Sequence, residues 1–271
     1  FSKIGRILAP ESTYIDDTVV TGQIYYYYVI ALDTSFNPSP ISNTVSQIPE
    51  AKLVTLTMDI TVPDFTPGTV FLTRYINADG TVGNWDPAAT ALTKISDTLW
   101  RGTFDILDGT AFDFKFTRGS WDTVMKGEDG NFELPNLPLT VSYGTDGTQL
   151  YEYTVLNWRD PIVVATAPFN GAMDVPIDAS IVVTWSQAMP DGTCPSVWIE
   201  PDPANLVAVT CSFDATIYEM TITPTTNLPR GSEISVGLTG LVDASGDTQQ
   251  VSYPLSFTTE YLKLFLPVIV K

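Results

Sequence analysis

The sequence contains no histidine. That absence excludes Ser-His and Cys-His nucleophile pairs, histidine metal sites and a histidine general base. Basic side chains are scarce as well: 13 Lys and Arg stand against 31 Asp and Glu, a formal net charge of −18. The acids are scattered along the whole chain, so they form a solvated surface and not an acidic tail. Such a surface repels nucleic acid and anionic lipid, because phosphate binding needs Lys and Arg. No apolar run approaches the roughly 20 residues that span a bilayer as a helix. Gly-rich phosphate loops, CxxC pairs and nucleophile elbows are missing. The Asp-Gly pairs in "NADG", "EDGN" and "GTDG" lack the regular oxygen-ligand spacing of a calcium loop and read as plain turns. No metal and no cofactor is therefore expected. Only two cysteines occur, Cys194 and Cys211. They make a poor zinc site; a disulfide is the first reading and two buried thiols the alternative.

What is present is material for β-structure. Apolar residues make up 44% of the 271 positions, enough for packed cores, and 20 prolines interrupt a chain with hardly any helical periodicity. Thr, Val and Tyr fall in alternating runs bounded by turn residues. The fold class is all-β, a linear string of Ig-sized sandwiches, and the expected setting is extracellular, secreted or at the cell surface.

Residues 1–50 include "TYIDDTVVTGQIYYYYVIALDTSFNPSPISNTVSQIP", a strand–turn–strand–turn–strand pattern. Thr21–Gly22 is a turn, Tyr25 to Ala31 a β-prone run, and Asn37-Pro38 and Ser39-Pro40 break the chain before "ISNTVSQI". This stretch resembles the second half of a fibronectin type III domain. The resemblance puts Tyr25 at the family's tyrosine corner, where the hydroxyl bonds back to backbone. "FSKIGRI" is similar to the middle of the same sheet, which would place the family's first strands ahead of Phe1 and leave an incomplete sandwich with open edges. Alternation puts Tyr25 and Tyr27 on one side and Tyr26 and Tyr28 on the other; a tyrosine platform for a ligand is the alternative.

Residues 53–158 contain "LVTLTMDITVP", "TVFLTRYI", "LWRGTFDI" and "AFDFKFTRG", alternating runs with Pro-Gly, Asp-Gly and Gly-Asn turns between them. From "VGNWDPAATALTKISDTLW" to "LPNLPLTV" the order and spacing resemble the starch-binding carbohydrate-binding module of glucoamylases and amylopullulanases. By that resemblance Trp85 and Trp121 are stacking platforms for sugar rings, Lys115 is a hydroxyl donor between them, and Asn136 supplies a side-chain amide. An indole suits the apolar C–H face of a sugar, and Lys or Asn its rim of hydroxyls. Trp100 matches a buried core position of the family. The sequence departs from the glucoamylase pattern in "TRYINADG" ahead of Trp85, in a longer stretch between Trp121 and Asn136, and in Leu137 where an arginine is common. The longer form is more similar to the amylopullulanase version. The alternative is a module that keeps its tryptophans for packing and no longer binds.

Asp160-Pro161 marks the next boundary. Residues 160–259, with "APFNGAMDVPIDASIVVTWSQAMP", "MTITPTTNLPRGSEISVGLTGLVDASGD" and "YPLSFTT", resemble the bacterial Ig-like domains of surface proteins and secreted polymer-degrading enzymes. Such domains are spacers or adhesive modules. The resemblance assigns Trp185, Met189 and Trp198 to the core, and it puts Cys194 and Cys211 on neighbouring strands or adjoining loops. The end, residues 260–271 with "YLKLFLPVIVK", is an apolar strand whose Leu262, Leu264, Leu266, Val268 and Val270 share one face.

Two functions from different classes follow. The first is a non-catalytic extracellular modular protein that binds α-glucan, similar to the C-terminal part of a secreted amylopullulanase, and ancillary to a larger glycoside hydrolase. The second is a structural subunit of an extracellular filament or surface array, self-associating head to tail by β-strand addition, with those five aliphatic residues as the subunit contact.

Overall fold

The computed structural model describes residues 2–20 and 23–262. Among the described residues the regular elements are strands and a single 3-10 turn. The chain is all-β, as its alternating runs predict.

The strand Leu53–Thr61 shows how the pattern produces the fold. Val54, Leu56, Met58 and Ile60 are all fully buried, while the residues between them face outward or lie half covered. Period-two alternation does this on a sheet with one face on a core. Each such aliphatic side chain contributes about 1.5–3 kcal/mol at most. Leu53–Thr61 pairs antiparallel with Leu99–Leu107 along its whole length and parallel with Thr148–Thr154 on its other edge. Facing it are a three-stranded sheet, with Phe71–Ile76 between Val82–Ala91 and Phe116–Thr117, and the pair Ala111–Phe114 with Leu137–Thr140. Trp100, Phe112, Phe114 and Phe116 fill the space between. Trp100 is a core residue, as expected.

The third unit is built from two four-stranded sheets. One has the order Val163–Ala167, Ile181–Trp185, Glu219–Pro224, Val209–Asp214; the other has Ala172–Val175, Tyr253–Thr259, Glu233–Leu238, Val197–Ile199. Trp185, Met189 and Phe257 sit in the core between them. Trp198 does not. It is half-buried on an edge strand, and its indole N–H donates to Glu200 Oε1 at 2.9 Å. At the sheet edge the ring stays part exposed while its polar end reaches this carboxylate. A disulfide joins Cys194, ahead of the edge strand of one sheet, to Cys211 on the edge strand of the other, with Cα atoms 5.5 Å apart.

The two cores meet just after Asp160-Pro161. Trp158 is fully buried in the earlier core, with its indole N–H on Thr66 Oγ1, and Ile162 belongs to the same core; Val163 is the first residue of the next one. Polar groups lock the seam. Asn157 Nδ2 donates to Glu128 O at 3.0 Å and to Ser186 O at 2.7 Å, and the Ile162 N–H donates to Ser186 Oγ at 3.0 Å. Asp160 pairs with Arg118, both side chains almost wholly enclosed. Burial raises the Asp160 carboxyl above the usual aspartate value, and the Arg118 charge offsets only part of that.

Residues 2–52 contain two short strands, Tyr25–Tyr27 and Val45–Gln47, paired antiparallel. Tyr25 and Tyr27 stack on one side, while Tyr26 is exposed. The Tyr25 hydroxyl accepts the Val20 N–H at 2.9 Å. No described residue of this stretch joins either core, and Leu8, Ile15, Val29, Phe36 and Ile41 are exposed. At the other end Tyr261 packs on Gly231, and Leu262 is exposed and outside any strand. Leu264, Leu266, Val268 and Val270 lie outside the described residues.

Candidate functional site

The residues singled out at 85, 115, 121 and 136 come together. Trp85, Lys115, Trp121, Val124, Glu133, Asn136 and Arg159 line one open pocket of about 280 Å³. That is at the small end of ligand sites, about 300–1,000 Å³.

Trp85 stands on Val82–Ala91 opposite Arg74, at a place where the pairing slips on either side. The Arg74 guanidinium lies 5.0 Å from the ring centroid. Trp121 opens the 3-10 turn Trp121–Thr123, held by the Ser120 and Thr123 side chains. The two ring centroids are 6.2 Å apart and the planes tilt by 46°. Trp85 keeps 38% and Trp121 42% of its surface exposed. Trp100 and Trp158, by contrast, are buried. Part of each ring at 85 and 121 is open to solution.

Lys115 is less free than expected. It is only 8% exposed. Thr73 pins its backbone: the Lys115 N–H donates to Thr73 Oγ1 at 2.8 Å, and the Thr73 hydroxyl donates to Lys115 O at 3.0 Å. Its Nζ donates to Glu133 Oε1 at 2.5 Å and to Leu134 O at 2.7 Å, leaving a single N–H of the ammonium for anything in the pocket. Glu133 also accepts from Lys126 Nζ at 2.6 Å. Burial pushes the Glu133 carboxyl up, but the hydrogen bonds and charges of Lys115 and Lys126 outweigh it and hold the group below the usual glutamate range. Asn136 is exposed, and its side-chain amide makes no hydrogen bond among the described residues.

Glu133 and Arg159 were not among the residues expected from sequence. Glu133 lies in the stretch that is longer than the glucoamylase pattern, and the charges of "GEDGNFE" there were the available signal. Arg159 lies at the domain boundary, where a charged residue passes for linker.

Residues 158–259 match the bacterial Ig-like domain family. This Ig-like domain carries the disulfide and forms one side of the seam. An amylopullulanase of Thermoanaerobacter thermohydrosulfuricus is 36% identical over 170 residues, which is 62% of this chain and 11% of that enzyme. An amylopullulanase of Thermoanaerobacterium thermosulfurigenes is 36% identical over 177 residues, 64% of this chain and 9% of that enzyme. The chain thus spans about a tenth of the length of these relatives. A Glycoside Hydrolase Family 15 glucoamylase from Hypocrea jecorina aligns over 48% of this chain and 22% of its own, at 22% identity and a TM-score of 0.30, a likeness too low to carry an argument.

Proposed function

We propose that this chain is a non-catalytic, extracellular part of a starch-acting glycoside hydrolase and that residues 53–158 bind α-glucan. One observation carries the reading: two half-exposed indoles share a pocket with a lysine donor and an unengaged amide. Indoles tilted against each other suit the coiled α-linked glucan better than the flat ribbon of cellulose. The pocket's one carboxylate supports binding over catalysis. Glu133 is clamped between two ammonium groups and stays ionised, so it has no proton to give a leaving group. The amylopullulanase relatives support the substrate class, and the disulfide supports an oxidising, extracellular setting. The net charge of −18 argues against nucleic acid as a partner. The chain should be retarded in native gels containing soluble starch and should not be retained on cellulose; equal mobility with and without starch would refute glucan binding.

A second reading, head-to-tail self-association of copies by strand addition, has one observation in its favour. The described residues of 2–52 expose Leu8, Ile15, Val29, Phe36 and Ile41 and join neither core. Light scattering across concentration tests it: growth beyond the monomer mass supports assembly, and a constant 29.6 kDa species refutes it.

A further inference from the structure

One wall of the pocket is supplied from the seam. Arg159 lines the same space as Trp85 and Trp121, and the Ig-like domain holds it there. Its Nε donates to Asp247 Oδ1 at 2.7 Å, and its carbonyl accepts from Gln187 Nε2 at 2.9 Å. On the other side its N–H donates to Val124 O at 2.9 Å. The loop that presents Asp247 is itself tied down. The buried Asp243 carboxylate accepts the N–H groups of Ser245 at 2.9 Å and Asp247 at 2.8 Å, and it also takes Gln187 Nε2.

Domain adhesion does not account for Arg159. Its side chain is part exposed, and a pair of that kind contributes little, about 0–1 kcal/mol. The enclosed Arg118–Asp160 pair and the Asn157–Ser186 bonds already hold the seam. Meanwhile the terminal amino groups of Arg159 make no hydrogen bond among the described residues. A guanidinium fixed at Nε offers a planar fork of N–H donors, which matches the adjacent 2- and 3-hydroxyls of a glucose ring. Lys115 has a single N–H to spare, and the Asn136 amide makes no hydrogen bond among the described residues; Arg159 adds a charged donor to these two.

We propose that Arg159 is a sugar-hydroxyl donor of the pocket and that Asp247 of the Ig-like domain is its positioning residue, so that the glucan site is built by both domains. This rests on the α-glucan reading above. The test uses the full chain and titrates β-cyclodextrin into the unsubstituted protein and into Trp85→Ala, Arg159→Gln, Asp247→Asn and Asp247→Glu, with a thermal melt of each. Arg159→Gln should weaken binding roughly tenfold, the loss of a charged donor to a hydroxyl. Asp247→Asn should weaken it roughly threefold, and Asp247→Glu should restore it. All melts should stay close together. Methylating the 2- and 3-hydroxyls of the cyclodextrin should weaken binding to the unsubstituted chain by a larger factor than binding to Arg159→Gln, where Lys115 and Asn136 are the remaining hydroxyl partners. Unchanged affinity in Arg159→Gln and Asp247→Asn, beside lost affinity in Trp85→Ala, overturns the inference and leaves the glucan site standing. So does a loss that follows a lowered melt and is not restored by Asp247→Glu. No binding by the unsubstituted chain overturns both.

Discussion

Lys115 Nζ donates to Glu133 Oε1 at 2.5 Å, inside the pocket that Trp85 and Trp121 line. Lys126 uses the other oxygen of the same carboxylate, and both lysines are nearly buried. Glu133→Gln removes the counter-charge from two cations at once. Its side chain is 58% exposed, so water screens part of the loss, and the expected destabilisation is about 1–2 kcal/mol in urea unfolding at pH 7. The sign with pH follows from the lowered carboxyl. The stability this group supplies is full above the ordinary glutamate value of 4.5 and is lost as pH falls through the lower folded value. The gap between the native chain and Glu133→Gln should therefore close in strong acid. A gap independent of pH would remove the ion pairs from the explanation.

Asp160 behaves in the opposite sense. Its folded value is raised, first by burial, so its own contribution is full below the ordinary 3.8 and declines as pH rises through the raised value. Arg118→Met leaves that carboxylate enclosed and unpaired, which costs about 3–5 kcal/mol at neutral pH. In acid the carboxyl takes a proton and the penalty shrinks. Chemical unfolding of Arg118→Met at neutral and acid pH checks this; an equal penalty at both would mean that Asp160 is not the group responsible.

The disulfide joins the edges of the two sheets of the Ig-like domain over a sequence separation of 17. Reduction, or Cys194→Ser with Cys211→Ser, should remove about 3 kcal/mol in the chain-entropy account. For a domain of this size that lowers the melting temperature by roughly 10–20 °C. Calorimetry before and after reduction measures it, and an unmoved melt would show that the bridge does not constrain the unfolded chain.

Sequence pattern sufficed where one face of a strand meets a core. The alternation in "LVTLTMDI" predicts the buried set Val54, Leu56, Met58 and Ile60, and the mixed run around "AFDFKF" predicts Phe112, Phe114 and Phe116. Trp85, Lys115, Trp121 and Asn136 were legible as a group because their order and spacing resemble a known module. Features made by long-range approach were not legible. Glu133 matters because the fold brings Lys115 and Lys126 to it, and Arg159 because Gln187 and Asp247 approach from the next domain. Trp198 was misplaced because an edge strand and a core strand read alike over three residues. Asp160-Pro161 has the look of a linker in sequence, whereas Asp160 is enclosed by a partner 42 residues away.

The central claim is that Trp85 and Trp121 form a sugar-binding platform. Titration of the full chain with β-cyclodextrin, followed by indole fluorescence and compared with the Trp85→Ala, Trp121→Ala double variant, tests it most directly. Each stacked ring should contribute about 1–3 kcal/mol, by analogy with other ring stacking on aromatic side chains. The account predicts saturable binding with a fluorescence change in the native chain, and none in the double variant while its melt is unchanged. Native and double-variant chains that respond alike to cyclodextrin would contradict it.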